Sequence, residues 1–84
     1  NFEFPETASI PNFMDQIKKE YSSGTLSTLD GIAIDFPEWR FSIRTSNTEP
    51  LLRLNVEGVS EILVKSKIDE LSRKILGAGA TVKE

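Results

Sequence analysis

Three of the four arginines in the chain, Arg40, Arg44 and Arg53, lie between positions 40 and 53, where the one acid is Glu49. Arg44 and Arg53 flank the run Thr45-Ser46-Asn47-Thr48-Glu49-Pro50. A guanidinium group is a planar fork of donors that meets phosphate or carboxylate with two parallel hydrogen bonds. Ser46 and Thr48 add hydroxyls, Asn47 adds an amide, and their successive backbone N–H groups can converge on an anion in a tight turn. Those four kinds of donor are what a phosphate dianion needs. The same residues also make an ordinary loop, since Ser, Asn, Thr and Pro are common turn residues and alternate arginines mark a solvated strand face. Spacing alone leaves both readings open.

The rest of the chain narrows the chemistry. Its 84 residues make one small domain, 38% hydrophobic and 27% charged, outside the disordered and fibrous classes. Asp and Glu outnumber Lys and Arg by 13 to 10, for a net charge of −3 and a pI near 4.9. A sequence-independent grip on nucleic acid through its phosphates is therefore disfavoured. A basic spot on an acidic chain fits a small anion better than a long polyanion. There is no Cys, hence no disulfide, thiolate zinc site or thiol nucleophile, and no His, the usual general base and transition-metal ligand. No apolar run approaches the ~20 residues that cross a bilayer, and no signal-peptide pattern opens the chain, so a cytoplasmic location is expected. Asn1 is not Met, and Asn1-Phe2-Glu3-Phe4 already alternates like a strand, which reads as a piece of a longer protein.

The elements that must position the basic spot follow from periodicity. Residues 1–4 predict a short edge strand closed by Pro5. Ile10, Phe13, Met14, Ile17 and Tyr21 predict a helix of about ten residues, with Ser9 as its cap, Pro11 in its first turn and Gly24 at its exit. From residue 25 to 57 the period becomes two. Ile32, Ile34 and Phe36, then Phe41 and Ile43, then Leu52, Leu54 and Val56 each give one apolar face. Asp30-Gly31 and Pro37-Glu38 mark turns, and the connection 45–50 is longer than a tight hairpin needs. Ser60 is an N-cap for a second helix with the apolar stripe Val64, Ile68, Leu71 and Ile75, stopped by Gly77 in the left-handed position. Residues 78–84 show no period and read as a loose tail. The expected fold is α+β: an antiparallel sheet of about four strands with two helices packed on one face. Arg44 then ends one strand and Arg53 begins the next, at one end of the sheet.

The stretch Arg44-Thr45-Ser46-Asn47-Thr48-Glu49-Pro50 resembles the phosphate-binding loop in the C-terminal domain of the α-D-phosphohexomutases. The flanks agree: Thr28-Leu29-Asp30-Gly31-Ile32, Trp39-Arg40-Phe41, and Leu51-Leu52-Arg53-Leu54-Asn55-Val56-Glu57. The Ser-Asn-Thr-Glu-Pro form resembles the phosphomannomutase/phosphoglucomutase branch; phosphoglucosamine mutases usually carry Gly where Asn47 stands. The resemblance implies that residues 1–84 are the last of four domains, a phosphate-binding domain of a larger phosphohexomutase, with an antiparallel sheet and two helices. The whole enzyme would interconvert hexose 1-phosphate and 6-phosphate through a phosphoserine and a hexose 1,6-bisphosphate intermediate, with Mg²⁺. Carried over residue by residue, Arg44, Ser46, Asn47 and Thr48 would hold the phosphate that is not reacting, with Arg53 in support. The partners implied are the phosphosugar and the preceding domains of the same chain, with no nucleic acid and no membrane.

The family's active serine lies in a Thr-Ala-Ser-His-Asn-Pro context. Here Thr7-Ala8-Ser9 is followed by Ile10-Pro11, which reads as a helix start, and the Asp- and Gly-rich metal loop has no counterpart. This chain alone is expected to bind weakly, to hold no metal or cofactor and to catalyse nothing. Phe36, Trp39 and Phe41 could stack on a sugar, with core packing as the expected role. Asp30 and Asp35 could mark a cation site, with a turn and a wet strand face as the plainer account; Lys18 and Lys19 read as solvated. Two other functions stay in play: a phosphoglucosamine mutase domain, and a non-enzymatic domain whose arginines meet an acidic partner. An RNA-binding sheet is disfavoured by the charge and by the lack of spaced aromatics across neighbouring strands.

Overall fold

The computed structural model describes residues 1–28, 31–46 and 49–83. Along the chain run β1 (Phe2–Glu3), α1 (Ser9–Glu20), β2 (Thr25–Ser27), β3 (Ile32–Asp35), β4 (Trp39–Thr45), β5 (Leu51–Gly58), α2 (Glu61–Gly77) and β6 (Thr81–Val82). The strands form one antiparallel sheet in the order β2-β3-β4-β5-β1-β6. The α+β class and the antiparallel sheet agree with the sequence. The strand number does not: six rather than about four, because β2 and β6 are only three and two residues long, too short to show a period.

The two-residue period sorts the central strands into two faces. Phe41 and Ile43 of β4 meet Val56 and Leu54 of β5, while Ile34 and Ile32 of β3 meet Phe41 and Ile43 from the other side. This face carries the core, completed by Ile10, Phe13 and Ile17 of α1 and Leu71 and Ile75 of α2. Ile43, Leu71 and Ile75 are fully buried, each contributing roughly 1.5–3 kcal/mol by leaving water. Both helices therefore lie on one side of the sheet, and the other side is open. Of the expected α2 stripe, Leu71 and Ile75 are buried, Val64 is half-buried and Ile68 is 43% exposed.

Capping corrects two expectations. Ser60 caps α2 as expected, its Oγ accepting the Leu63 N–H at 3.2 Å. Ser9 does not cap α1; it is the first helical residue, after an Ala8 that makes no side-chain cap. Gly77 is still helical, and the left-handed backbone falls two residues later, at Gly79 with φ +104°. That displacement turns the chain back along the sheet. Ala80 is buried, and β6 pairs with β1 through Phe2↔Val82 and Glu3↔Thr81. Residues 78–83 are thus not a loose tail, and β1 is not an edge strand, since it lies between β5 and β6. If β6 is structural, deleting residues 81–84 should lower the melting temperature by several degrees, at about 4–8 °C per kcal/mol for a domain of this size; a loose tail would leave the melt unchanged.

Tyr21 joins the helices to the sheet. Its ring meets Phe41, Trp39 and Phe36 edge-on at centroid distances of 5.1, 6.1 and 6.2 Å, and its hydroxyl donates to Glu70 of α2. That hydrogen bond, aided by Lys67 and set against partial burial, holds the Glu70 carboxyl below its ordinary value. A carboxyl with a depressed folded-state pKa contributes stability above its unfolded pKa of about 4.3 and loses it as pH falls through the folded value. Urea melts of the wild type and Tyr21→Phe from pH 7 down to pH 3 should show the variant losing less stability on acidification, and parallel profiles would deny the Glu70 contact a role.

Candidate anion-binding site

The open face of the sheet is read in cross-strand rows. One row sets Asp35, Arg40 and Glu57 side by side on β3, β4 and β5. The charges alternate, and Arg40 reaches Asp35 with its Nε 2.7 Å from Oδ1 and Glu57 with a guanidinium nitrogen 3.6 Å from Oε2. The next row is uncharged: Ser27, Ala33, Ser42 and Asn55. In the third, Arg44 of β4 faces Arg53 of β5 as direct cross-strand partners. Like charges placed directly opposite oppose pairing, by up to about 1 kcal/mol. The first row shows how this sheet satisfies an arginine by its neighbours. The third row places two guanidinium groups at the end where β4 and β5 are joined.

Local backbone chemistry holds that end in place. Ser46 N–H donates to Leu51 O at 3.2 Å, and Ser46 Oγ accepts the Glu49 N–H at 3.3 Å, so both its backbone and its hydroxyl are turned into the connection. Phe4 N–H donates to Pro50 O at 2.8 Å and ties the far stem of the connection to the chain leaving β1. On the other flank, Gly31 adopts φ +79°. A Cβ there would come within 2.3 Å of Ile43 O and 3.2 Å of the Arg44 Cα, so only glycine allows the chain entering β3 to pass this close to Arg44.

Two clefts open on this face. One of about 390 Å³ is lined by Asn1, Arg44, Thr45, Ser46, Arg53 and Lys83, together with Leu51 and Leu52. The other, about 440 Å³, runs over Ser27, Arg40, Ser42 and Asn55. Both include Arg44 and Arg53, which form the boundary between them. Arg53 has no ion-pair partner among the described residues. The arrangement offers an oxyanion two guanidinium groups on adjacent strands beside a polar connection.

The structure thus brings Arg44, Ser46 and Arg53 together around one cleft. Asn47 and Thr48, the other two predicted phosphate ligands, lie outside the described residues, as do Leu29 and Asp30. Phe36 and Trp39 stack at 4.7 Å with their planes 5° apart, and with Phe41 they pack on the helix side of the sheet, away from the arginines. Core packing is their role. Asp35, half of the conceivable cation site, is the ion-pair partner of Arg40. Among the described residues no three Asp or Glu gather as metal ligands, and none of the helices is long and apolar enough to cross a membrane. Sequence reasoning missed Asn1 and Lys83 as cleft residues, because β6 shows no period. The one available signal was that Phe2 and Phe4, both apolar, need cover on two sides.

The family of phosphoglucomutase/phosphomannomutase C-terminal domains matches residues 1–74. A phosphomannomutase of Vibrio cholerae is 46% identical over 65 residues, covering 74% of this chain and 14% of that protein. One from Methanocaldococcus jannaschii is 41% identical over 69 residues, covering 82% of this chain and 15% of that protein. A phosphohexose mutase of Xanthomonas campestris is 48% identical over 56 residues, 66% of this chain and 12% of its own length. The chain therefore spans about one-seventh of the length of the curated relatives it matches. By the extent of the family match, over residues 1–74, this chain belongs to the phosphoglucomutase/phosphomannomutase C-terminal domain family.

Proposed function

We propose that this chain is the phosphate-clamping C-terminal domain of a longer, cytoplasmic phosphomannomutase/phosphoglucomutase. In this reading Arg44, Ser46, Asn47 and Thr48, with Arg53 in support, hold the phosphate of a hexose phosphate that is not being transferred. The observation that carries it is the direct cross-strand pairing of Arg44 with Arg53 beside the β4–β5 connection. A bound phosphate dianion would turn that like-charge pair into a favourable arrangement, with charge-assisted hydrogen bonds from each guanidinium. The nucleophilic serine, the Mg²⁺ ligands and the groups that read the sugar hydroxyls are assigned by this proposal to the preceding domains, so the chain by itself would not turn over substrate.

A phosphate held far from the reacting bond acts by orientation. Fixing one end of the sugar sets the position of the other, so loss of the clamp reaches kcat as well as KM. In the full-length mutase Arg44→Ala should cost roughly 10- to 150-fold in kcat/KM, the value of lost hydrogen bonds to a charged group. Arg44→Lys should recover only part of this, because an ammonium lacks the two-pronged fork. Thr45→Ala is the control: Thr45 lies between two proposed ligands and lines the same cleft but is not itself a ligand in this reading. Its cost should be much smaller. Melting curves of all three variants should lie close to wild type, since Arg44 and Thr45 are exposed. Equal kcat/KM for Arg44→Ala and Thr45→Ala, or an Arg44→Ala loss traced to unfolding, would remove the case for a clamp.

A further inference from the structure

Lys83 directly follows β6, in the segment that carries no period in the sequence. Its backbone N–H donates to Asn1 O at 2.8 Å, which extends the β1–β6 ladder one residue past Phe2↔Val82. Phe2 also pairs with Leu52 on the other side of β1, so Asn1 continues that ladder opposite Arg53. Arg53 in turn faces Arg44. Arg44, Arg53, Asn1 and Lys83 thus occupy a single cross-strand row over β4, β5, β1 and β6, and all four line the same cleft. At the usual spacing of about 4.8 Å between strands, the backbones of Arg53 and Lys83 stand roughly 10 Å apart. Side chains of this length close that gap towards a shared ligand.

The present contact of Lys83 is weak. Its Nζ stands 3.8 Å from Glu3 Oε2, with the two side chains 49% and 43% exposed. An exposed pair of this kind contributes little to stability, so the ammonium can exchange Glu3 for a stronger anion at small cost. A phosphate monoester, close to doubly charged at neutral pH, is such an anion.

We propose that Lys83 is a third cation of the anion cleft, releasing Glu3 to bind the phosphate monoester gripped by Arg44 and Arg53. The inference rests on the clamp reading above, and its test separates the two. The full-length mutase would be assayed with α-D-mannose 1-phosphate as wild type, Lys83→Ala, Lys83→Arg, Glu3→Gln and Arg44→Ala, each with a melting curve. Lys83→Ala should raise KM by about 3- to 10-fold, with the smaller part of the effect in kcat and with the difference shrinking at high salt. Lys83→Arg should keep most of the affinity. Glu3→Gln, which frees the ammonium, should not raise KM. If Lys83 matters only as half of an ion pair that holds β6, Glu3→Gln will raise KM as Lys83→Ala does, and the proposal is overturned. A wild-type KM in Lys83→Ala also overturns it, leaving the clamp standing if Arg44→Ala still loses kcat/KM. Full activity in both Lys83→Ala and Arg44→Ala would take down the clamp itself.

Discussion

The register of the β4–β5 ladder is the constraint on which the rest depends. From Trp39↔Gly58 to Thr45↔Leu52, it pairs Phe41 with Val56 and Ile43 with Leu54 on one face, and Arg40 with Glu57 and Arg44 with Arg53 on the other. A slip of one residue would send every one of these side chains to the wrong face. The register is therefore constrained by core burial: Phe41 and Ile43 are within 1% of complete burial, and a one-residue slip would turn them to the open face. The arginine pair is held opposite itself by a hydrophobic decision made on the reverse side of the same strands. That is how a sheet can hold an arrangement that its own charges oppose.

The energetics of the open face follow from this. The core contributes several kcal/mol through residues such as Ile43, Leu71 and Ile75, while opposed arginines on an exposed surface cost about 1 kcal/mol or less. The fold tolerates the site. Charge along the sheet is graded, from the net-negative Asp35–Arg40–Glu57 row through the hydroxyl and amide row to the positive Arg44–Arg53 row. An acidic chain of net charge −3 thus presents a positive end without being a general polyanion binder. The connection at that end is braced by Ser46, Pro50 and Phe4, and by a glycine at position 31 whose backbone admits no side chain.

How much of this the sequence shows differs by element. The faces of β3, β4 and β5 and the buried stripe of α1 were legible because apolar residues recur at two- or four-residue spacing over several turns or pleats. Ser60 as an N-cap was legible because it precedes a long periodic run, whereas Ser9, in an equally suitable position, entered the helix instead. β2 and β6 were not legible: strands of two or three residues are defined by their neighbours, and their own side chains are mostly exposed. The helix stop moved from Gly77 to Gly79 for the same reason, since the return of the chain to β1 is a tertiary event. Within the candidate site, the arginines and Ser46 were legible from residue type. Their row, and the addition of Asn1 and Lys83 to it, required the sheet order.

The central claim is that an oxyanion binds at the β4–β5 connection, on the open face. The direct measurement is a titration of the isotopically labelled 84-residue chain with inorganic phosphate and with α-D-mannose 1-phosphate, followed by amide chemical shifts. The account predicts that shifts concentrate at residues 44–48 and at Arg53, with an affinity no tighter than roughly millimolar, about −4 kcal/mol, for a site open to water. Shifts spread evenly over the surface, or largest along α1 on the far side of the sheet, would contradict it.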